Sequence, residues 1–187
     1  MKRQKARQNE KIYLIKVIQS DWNGRIRGQP YRILALPEGL SLDHLAKAII
    51  EAFDFDFDHA FGFYDNIRSW IDSDECYELF KDMPREIIIE PSRCKSVKKT
   101  KIRDVFTEVK KRMLFLYDYG DEWHFIIELK GIEPQKENEI YPVIVESAGE
   151  APPQYGEPDE EPENFKARSE KYERGKQSLL FPDYSSW

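Results

Sequence analysis

The chain is short of the residues that staple or ligate. Its 187 residues include only two cysteines and three histidines. Cys76 and Cys94 form no motif, which argues against a disulfide framework and points to a reducing compartment. His44, His59 and His124 are not spaced as zinc-ligand pairs are, so neither metal nor cofactor is expected. Long apolar runs are missing too. Lys16 and Glu51 interrupt the longest, and no segment reads as a membrane span. The basic start, Met1 to Arg7, leads into no apolar stretch of signal-peptide type. Gly24 and Gly28 do not open a helix in a βαβ unit, which removes the phosphate-loop reading. No serine sits in a G-x-S-x-G elbow. A soluble, cytoplasmic protein is the expectation.

What is present is apolar and charged in balance. Hydrophobic residues make up 40 % and aromatics 13 %, too many for a wholly disordered chain. Lys and Arg total 29 against 35 acidic residues, a net charge of −6. Length and composition suit one domain with extensions.

Residues 1–11 read as a basic arm. The apolar, β-branched stretch Ile12–Ile18 predicts a buried strand, and Tyr31–Leu36 the returning strand of a hairpin whose tip holds Asn23-Gly24. Ser41 is a good N-cap, and Leu42, Leu45, Ala46, Ile49 and Phe53 fall on one helical face. Further strands are predicted at Phe61–Asp65, Ile67–Asp72, Ile87–Ile89, Met113–Tyr117, Trp123–Leu129 and Tyr141–Glu146. A second helix is predicted from Thr100 through Val109, with Lys110 to Arg112 at its negative end. In the Trp123 strand, Trp123, Phe125, Ile127 and Leu129 form the core face, and His124 the opposite one. Residues 150–164, rich in proline and acid, read as a linker, and residues 165–187 as a C-terminal helix with an aromatic tail. The fold class expected for residues 12–149 is α+β: one domain with a mostly antiparallel or mixed sheet and two main helices. Its hairpin-then-helix opening resembles the β-grasp topology.

Three constellations carry candidate chemistry. Asp54, Asp56 and Asp58 alternate before His59, as oxygen ligands on an extended chain would, although no EF-hand glycine or terminal glutamate accompanies them. Their alternation with Phe53, Phe55 and Phe57 equally describes a solvated face over a buried one. Arg93, Lys95, Lys98, Lys99, Lys101 and Arg103 put six positive charges in eleven residues, a run suited to nucleic-acid phosphates or to the acidic segment that follows later in the chain.

The third is Tyr117-Asp118-Tyr119-Gly120-Asp121-Glu122-Trp123. This block resembles the Y-D-F-G-D-x-W signature of the plasmid open-reading-frame-three family, first named on an Ri plasmid and also labelled as insertion-element passenger proteins. Pro30-Tyr31-Arg32, His59-Ala60-Phe61-Gly62-Phe63, Tyr141-Pro142 and Gly149-Glu150-Ala151-Pro152-Pro153 resemble further family segments in the same order. The resemblance implies a single α+β domain associated with mobile elements and attaches no activity to it. Phe125 stands where relatives often have histidine and Ala151 where they often have cysteine, so a metal site built on that pair is excluded here.

Within the block, Gly120 is expected to supply a turn conformation that a Cβ would resist. Asp118 and Asp121 are expected to accept from turn N–H groups, and Asp118 to pair with Arg32. Either Arg32, His59, Tyr117, Asp118, Gly120, Asp121 and Trp123 fix a hairpin, or some of them line a pocket. The leading functional expectation is a non-enzymatic interaction domain that binds a protein partner or self-associates through its C-terminal tail. The alternatives are an accessory nucleic-acid-binding protein and a hydrolase-like enzyme around His59 and Asp118.

Overall fold

Apolar alternation builds the centre of the molecule. In the computed structural model, residues 10–21, 24–84 and 92–155 are described. The elements are β1 (Lys11–Ser20), β2 (Tyr31–Pro37), α1 (Leu42–Ala52), β3 (Phe61–Tyr64), β4 (Cys76–Glu78), β5 (Lys95–Ser96), α2 (Ile102–Val105), β6 (Arg112–Tyr117), β7 (Trp123–Pro134) and β8 (Val143–Ala148). All eight strands join one sheet in the order β5-β4-β3-β6-β7-β1-β2-β8. Every pairing is antiparallel except β4 with β5. The fold is therefore strand-rich α+β. A compact unit ends at Pro152, and a second begins at Pro153.

Helix α1 starts where its sequence says it should. The Ser41 hydroxyl accepts from the His44 N–H at 3.3 Å, satisfying one of the free donors of the first turn. Its apolar stripe, Leu42, Leu45, Ala46 and Ile49, is fully buried against the sheet with Ile15, Val17, Phe125 and Ile127. Each such Leu or Ile contributes about 1.5–3 kcal/mol by leaving water. The helix ends in a Schellman motif: Phe55 N–H reaches the Ile50 carbonyl and Asp54 N–H the Glu51 carbonyl. Asp54 takes the left-handed position at φ 58°, a place where a short carboxylate side chain is tolerated. That turn swings Phe55 into the core and leaves Asp54, Asp56 and Asp58 exposed.

Several expectations give way to local hydrogen bonding. Ile67–Asp72 is not a strand. Asn66 Oδ1 accepts from the N–H groups of Arg68 and Ser69, both at 3.1 Å, and this side-chain turn leads into a single 3-10 turn at Trp70–Asp72. The second helix is one turn only. Its N-cap is Lys101 instead of Thr100, with the Lys101 N–H bonded to Asp104 Oδ2. It stops because Lys110 and Lys111 exchange backbone hydrogen bonds with Leu129, which draws the chain into the sheet. Val109 is thus exposed instead of buried, and Arg112 opens β6. Strand β7 runs on to Pro134 past a bulge opposite Leu14 and Ile15, and the last strand begins at Val143, after a cis Tyr141–Pro142 bond. The basic arm up to residue 9, the Ile87–Ile89 strand, most of the linker and the whole 165–187 segment lie outside the described residues.

The largest correction concerns the cysteines. Cys76 and Cys94 are joined in a disulfide. The parallel register Tyr77↔Lys95 sets the residues just before that pair side by side, with Cα atoms 4.9 Å apart. Cysteines 18 residues apart give no local motif from which that register can be read.

Candidate functional site

The tyrosine-to-tryptophan block closes the β6–β7 turn, and each of its residues has a separate task. Tyr117 is fully buried at the end of β6. Its hydroxyl accepts from the N–H groups of Asp58 at 2.8 Å and His59 at 3.1 Å, and it faces the Asp56 carbonyl and Asp58 Oδ1. Burial pushes this phenol above its ordinary range, while the two N–H donors act against the rise. The segment from Phe55 to Ala60 has no regular structure, and this oxygen ties it to the sheet together with the Asp118 N–H, which donates to the Ala60 carbonyl at 3.0 Å.

Asp118 comes next, at φ 56°. Its Oδ1 accepts from Gly120 N–H at 2.8 Å and Asp121 N–H at 3.4 Å, and its backbone carbonyl from Glu122 N–H at 2.7 Å. The left-handed positions of the turn are therefore Asp118 and Glu122, not Gly120. What a Cβ at Gly120 would meet is Asp118 Oδ1, at 3.2 Å.

The free side of the Asp118 carboxylate turns to His59, whose Nε2 lies 3.4 Å from Oδ2. The other ring nitrogen, Nδ1, lies 2.6 Å from Asp58 Oδ1. The imidazole is 36 % exposed and edge-on to the Tyr117 ring. Each ring nitrogen thus faces a carboxylate, Asp58 on one side and Asp118 on the other.

Arg32 is not part of this group. It is buried on the core face beside Val17, and its Nε donates to the Ala52 carbonyl at 3.0 Å. Nη1 donates to the carbonyls of Tyr31, Ala148 and Gly149 at 2.9, 3.2 and 3.1 Å. Ala52 is the last residue of α1, so the cation sits at the negative end of that helix dipole. The Phe53 ring covers it at 4.8 Å. Arg32 thereby ties the helix end to the β8 edge. The expected pairing with Asp118 is replaced by these carbonyls.

Trp123 packs edge-on against Phe55 at 4.8 Å, and Phe125 against Phe53 at 4.9 Å. Ala151 adds to the same cluster. Phe125 is thus fully buried core, and Ala151 packs partly buried against it. No group of three metal-ligating side chains comes together among the described residues. His124 lies on the opposite face, as alternation requires, but it is buried, 3.6 Å from the Glu122 carboxylate.

Alternation also hid a second network. Tyr119 crosses to the outer face, where its hydroxyl lies 2.8 Å from that of Tyr64, and Tyr64 donates to Glu78 at 2.7 Å. Burial raises both phenols strongly. Gly62, two residues before Tyr64 on the same face, leaves the room: a Cβ there would lie 2.6 Å from the Tyr64 hydroxyl and 2.8 Å from that of Tyr119. The spacing Gly62-x-Tyr64 was the available signal.

The basic run occupies the β5-to-α2 stretch. Arg93 is consumed by the carbonyls of Ile71 and Ser73 at 2.7 and 2.8 Å. Asp82 receives the Ser96 hydroxyl and Lys98 N–H, and the Arg103 guanidinium lies 3.9 Å from Asp104. Lys95, with its ammonium 5.6 Å from the Tyr77 ring centroid, remains exposed together with Lys98 and Lys99; Lys101 is half-buried.

Among known proteins, the pattern described as plasmid pRiA4b ORF-3-like protein matches residues 12–170. A crystal structure of a protein of unknown function from Methanosarcina mazei Go1 is similar to this chain with a TM-score of 0.61 and 24 % identity, covering 95 % of this chain and 85 % of that one. At that identity the likeness speaks for the fold. No curated protein matches the chain.

Proposed function

The chain belongs to the plasmid pRiA4b ORF-3-like family, and from that footing we propose that it is a non-enzymatic interaction domain whose β8, the edge of the sheet among the described residues, takes up an extended segment of a protein partner. The observation that carries the proposal is the character of that edge. β8 is the last strand of the sheet, six residues long, with Ile144 and Val145 exposed at 45 % and 48 %. Ile132 on β7 and Ile140, just ahead of β8, are exposed at 40 % and 53 %. An edge strand carries unpaired N–H and C=O groups, and proteins that keep such an edge to themselves blunt it with lysine, proline or brevity. The opposite edge, β5, is so treated, being two residues long and bearing Lys95. β8 is not, and strand addition is the matching recognition mode.

A cytoplasmic setting and an association with mobile elements belong to the same proposal. So does self-association through residues 165–187, as the competing route.

The test compares the full chain, its Ile144→Lys/Val145→Lys variant and a chain lacking residues 165–187. Cross-linking in host extract followed by peptide mapping is expected to place a partner's extended segment on β8 in the first and third, and on neither face of the double variant, whose circular dichroism stays native. Equal cross-linking by the double variant overturns the edge. A loss of mass in light scattering confined to the truncated chain assigns association to the tail instead.

A second reading, accessory nucleic-acid binding, rests on the exposed Lys95, Lys98 and Lys99. Binding to DNA or RNA at low salt that falls steeply with salt and with Lys98→Glu/Lys99→Glu would carry it; no binding at low salt removes it.

A further inference from the structure

Next to the disulfide lies an open cleft of about 220 Å³, and both Cys76 and Cys94 line it together with Trp70, Glu78, Ser92 and Arg93. The two sulfur-bearing residues are 6 % and 5 % exposed, so this cleft is their way to solvent. We propose that the Cys76–Cys94 bond is a thiol-exchange site, taking a small thiol in this cleft and using the bond to lock or release β5.

The placement of the charges favours one direction of attack. Arg93 adjoins Cys94, and its Nη2 is fixed by the Ile71 and Ser73 carbonyls at the cleft wall. A cation that lines the cleft with both cysteines draws in a thiolate and favours one leaving on Cys94, its chain neighbour. The Glu78 carboxylate, the opposing charge, is spent on the Tyr64 and Ser92 hydroxyls, both at 2.7 Å. The incoming thiolate therefore bonds to Cys76 Sγ, the S–S bond breaks, and its electron pair leaves on Cys94. A second thiolate then attacks the outer sulfur of the mixed disulfide. The small thiols leave as their own disulfide, and each cysteine takes one proton: the protein gains two electrons and the thiols lose two.

The structural consequence is local. The bond sits immediately before the two paired residues of each strand, Tyr77↔Lys95 and Glu78↔Ser96, which form the whole ladder between β4 and β5, while Asp82 holds Ser96 and the Lys98 N–H from the side. The stretch released is the one that bears Lys95, Lys98 and Lys99.

The experiment incubates the full chain, anaerobically and without denaturant, with reduced glutathione, quenches with acid and reads intact mass. The expected result is complete reduction through a transient glutathione adduct of the wild-type chain, which peptide mapping of the acid-quenched sample places on Cys76, with unchanged circular dichroism. Hydrogen exchange is expected to rise in residues 92–100 and stay constant in β1 and β7. Arg93→Gln is expected to slow the first step about threefold or more. The proposal is overturned if reduction of the wild-type chain rises with denaturant in step with global unfolding, if the adduct forms on Cys94, or if the purified chain under air carries two free thiols. The wild-type denaturant series stands whether or not Arg93→Gln folds.

Discussion

The Tyr117 hydroxyl and the Asp58 backbone N–H, 59 residues apart in sequence, meet at 2.8 Å. Through that bond, the last residue of β6 fixes the segment that carries His59, and His59 in turn faces the Asp118 that organises the turn after Tyr117. The block and the 56–59 segment are therefore one unit, each holding the other.

Removing the hydroxyl tests that unit. Tyr117→Phe keeps the ring in the core and leaves the Asp58 and His59 N–H groups without their acceptor. A loss of about 1–3 kcal/mol is expected, read as a lower denaturant midpoint at unchanged slope. Faster amide exchange at Asp58 and His59 should accompany it. A midpoint equal to that of the parent would show that the segment holds itself.

Arg32 and Asp118 are expected to be energetically separate. Arg32→Met strips four carbonyls of a charged donor, for a cost of about 2–3 kcal/mol, and Arg32→Lys should rescue little because an ammonium cannot span the fork. Combined with Asp118→Asn, the effects should add to within about 0.5 kcal/mol. A larger coupling in the double-mutant cycle would reinstate the direct pairing expected from the sequence.

Gly62 is expected to be the least replaceable glycine of β3 and its surroundings. Gly62→Ala forces a methyl against two phenol oxygens closer than van der Waals contact allows, at about 1–3 kcal/mol by overpacking. Tyr64→Phe removes the nearer oxygen, so the double variant should cost less than the sum of the single ones in thermal denaturation. Strict additivity would place the strain elsewhere.

What could be read beforehand follows the range of the forces involved. Ser41, the α1 stripe and the Trp123–Leu129 alternation act within a few residues, and the structure forms them as patterned. Phe125 joined the core for the same reason. The shorter α2 and the missing Ile67–Asp72 strand were decided by competitors invisible to periodicity: the Leu129 backbone in one case and the Asn66 side chain in the other. The disulfide depends on a parallel register between the edge strand β5 and its neighbour β4, two and three residues long, too short to leave any pattern. At the candidate site, His59 near Asp118 and the turn bonds of Asp118 were legible from residue type. Gly120 misled because left-handed backbone was assigned by residue preference, whereas Asp118 and Glu122 accept it for the sake of the hydrogen bonds that close the turn.

Alkaline pH should unfold the chain through the Tyr64–Tyr119 pair. Burial raises both phenols above the ordinary tyrosine value of about 10, and the Glu78 carboxylate raises Tyr64 further. The folded state therefore keeps both protons over a range where the unfolded chain loses them. The unfolded state then binds fewer protons, so stability falls as pH rises. The stabilisation is whole below about pH 10 and is lost progressively above it, by about 1.4 kcal/mol per pH unit for each phenol held neutral. Tyrosinate absorbance from these two residues should lag behind the exposed tyrosines and appear together with loss of the circular dichroism signal. In Tyr64→Phe/Tyr119→Phe the alkaline decline of the denaturant midpoint should be shallower than in the parent, even though the variant starts lower at neutral pH. Parallel declines would assign alkaline unfolding to other groups and remove this pair as its cause.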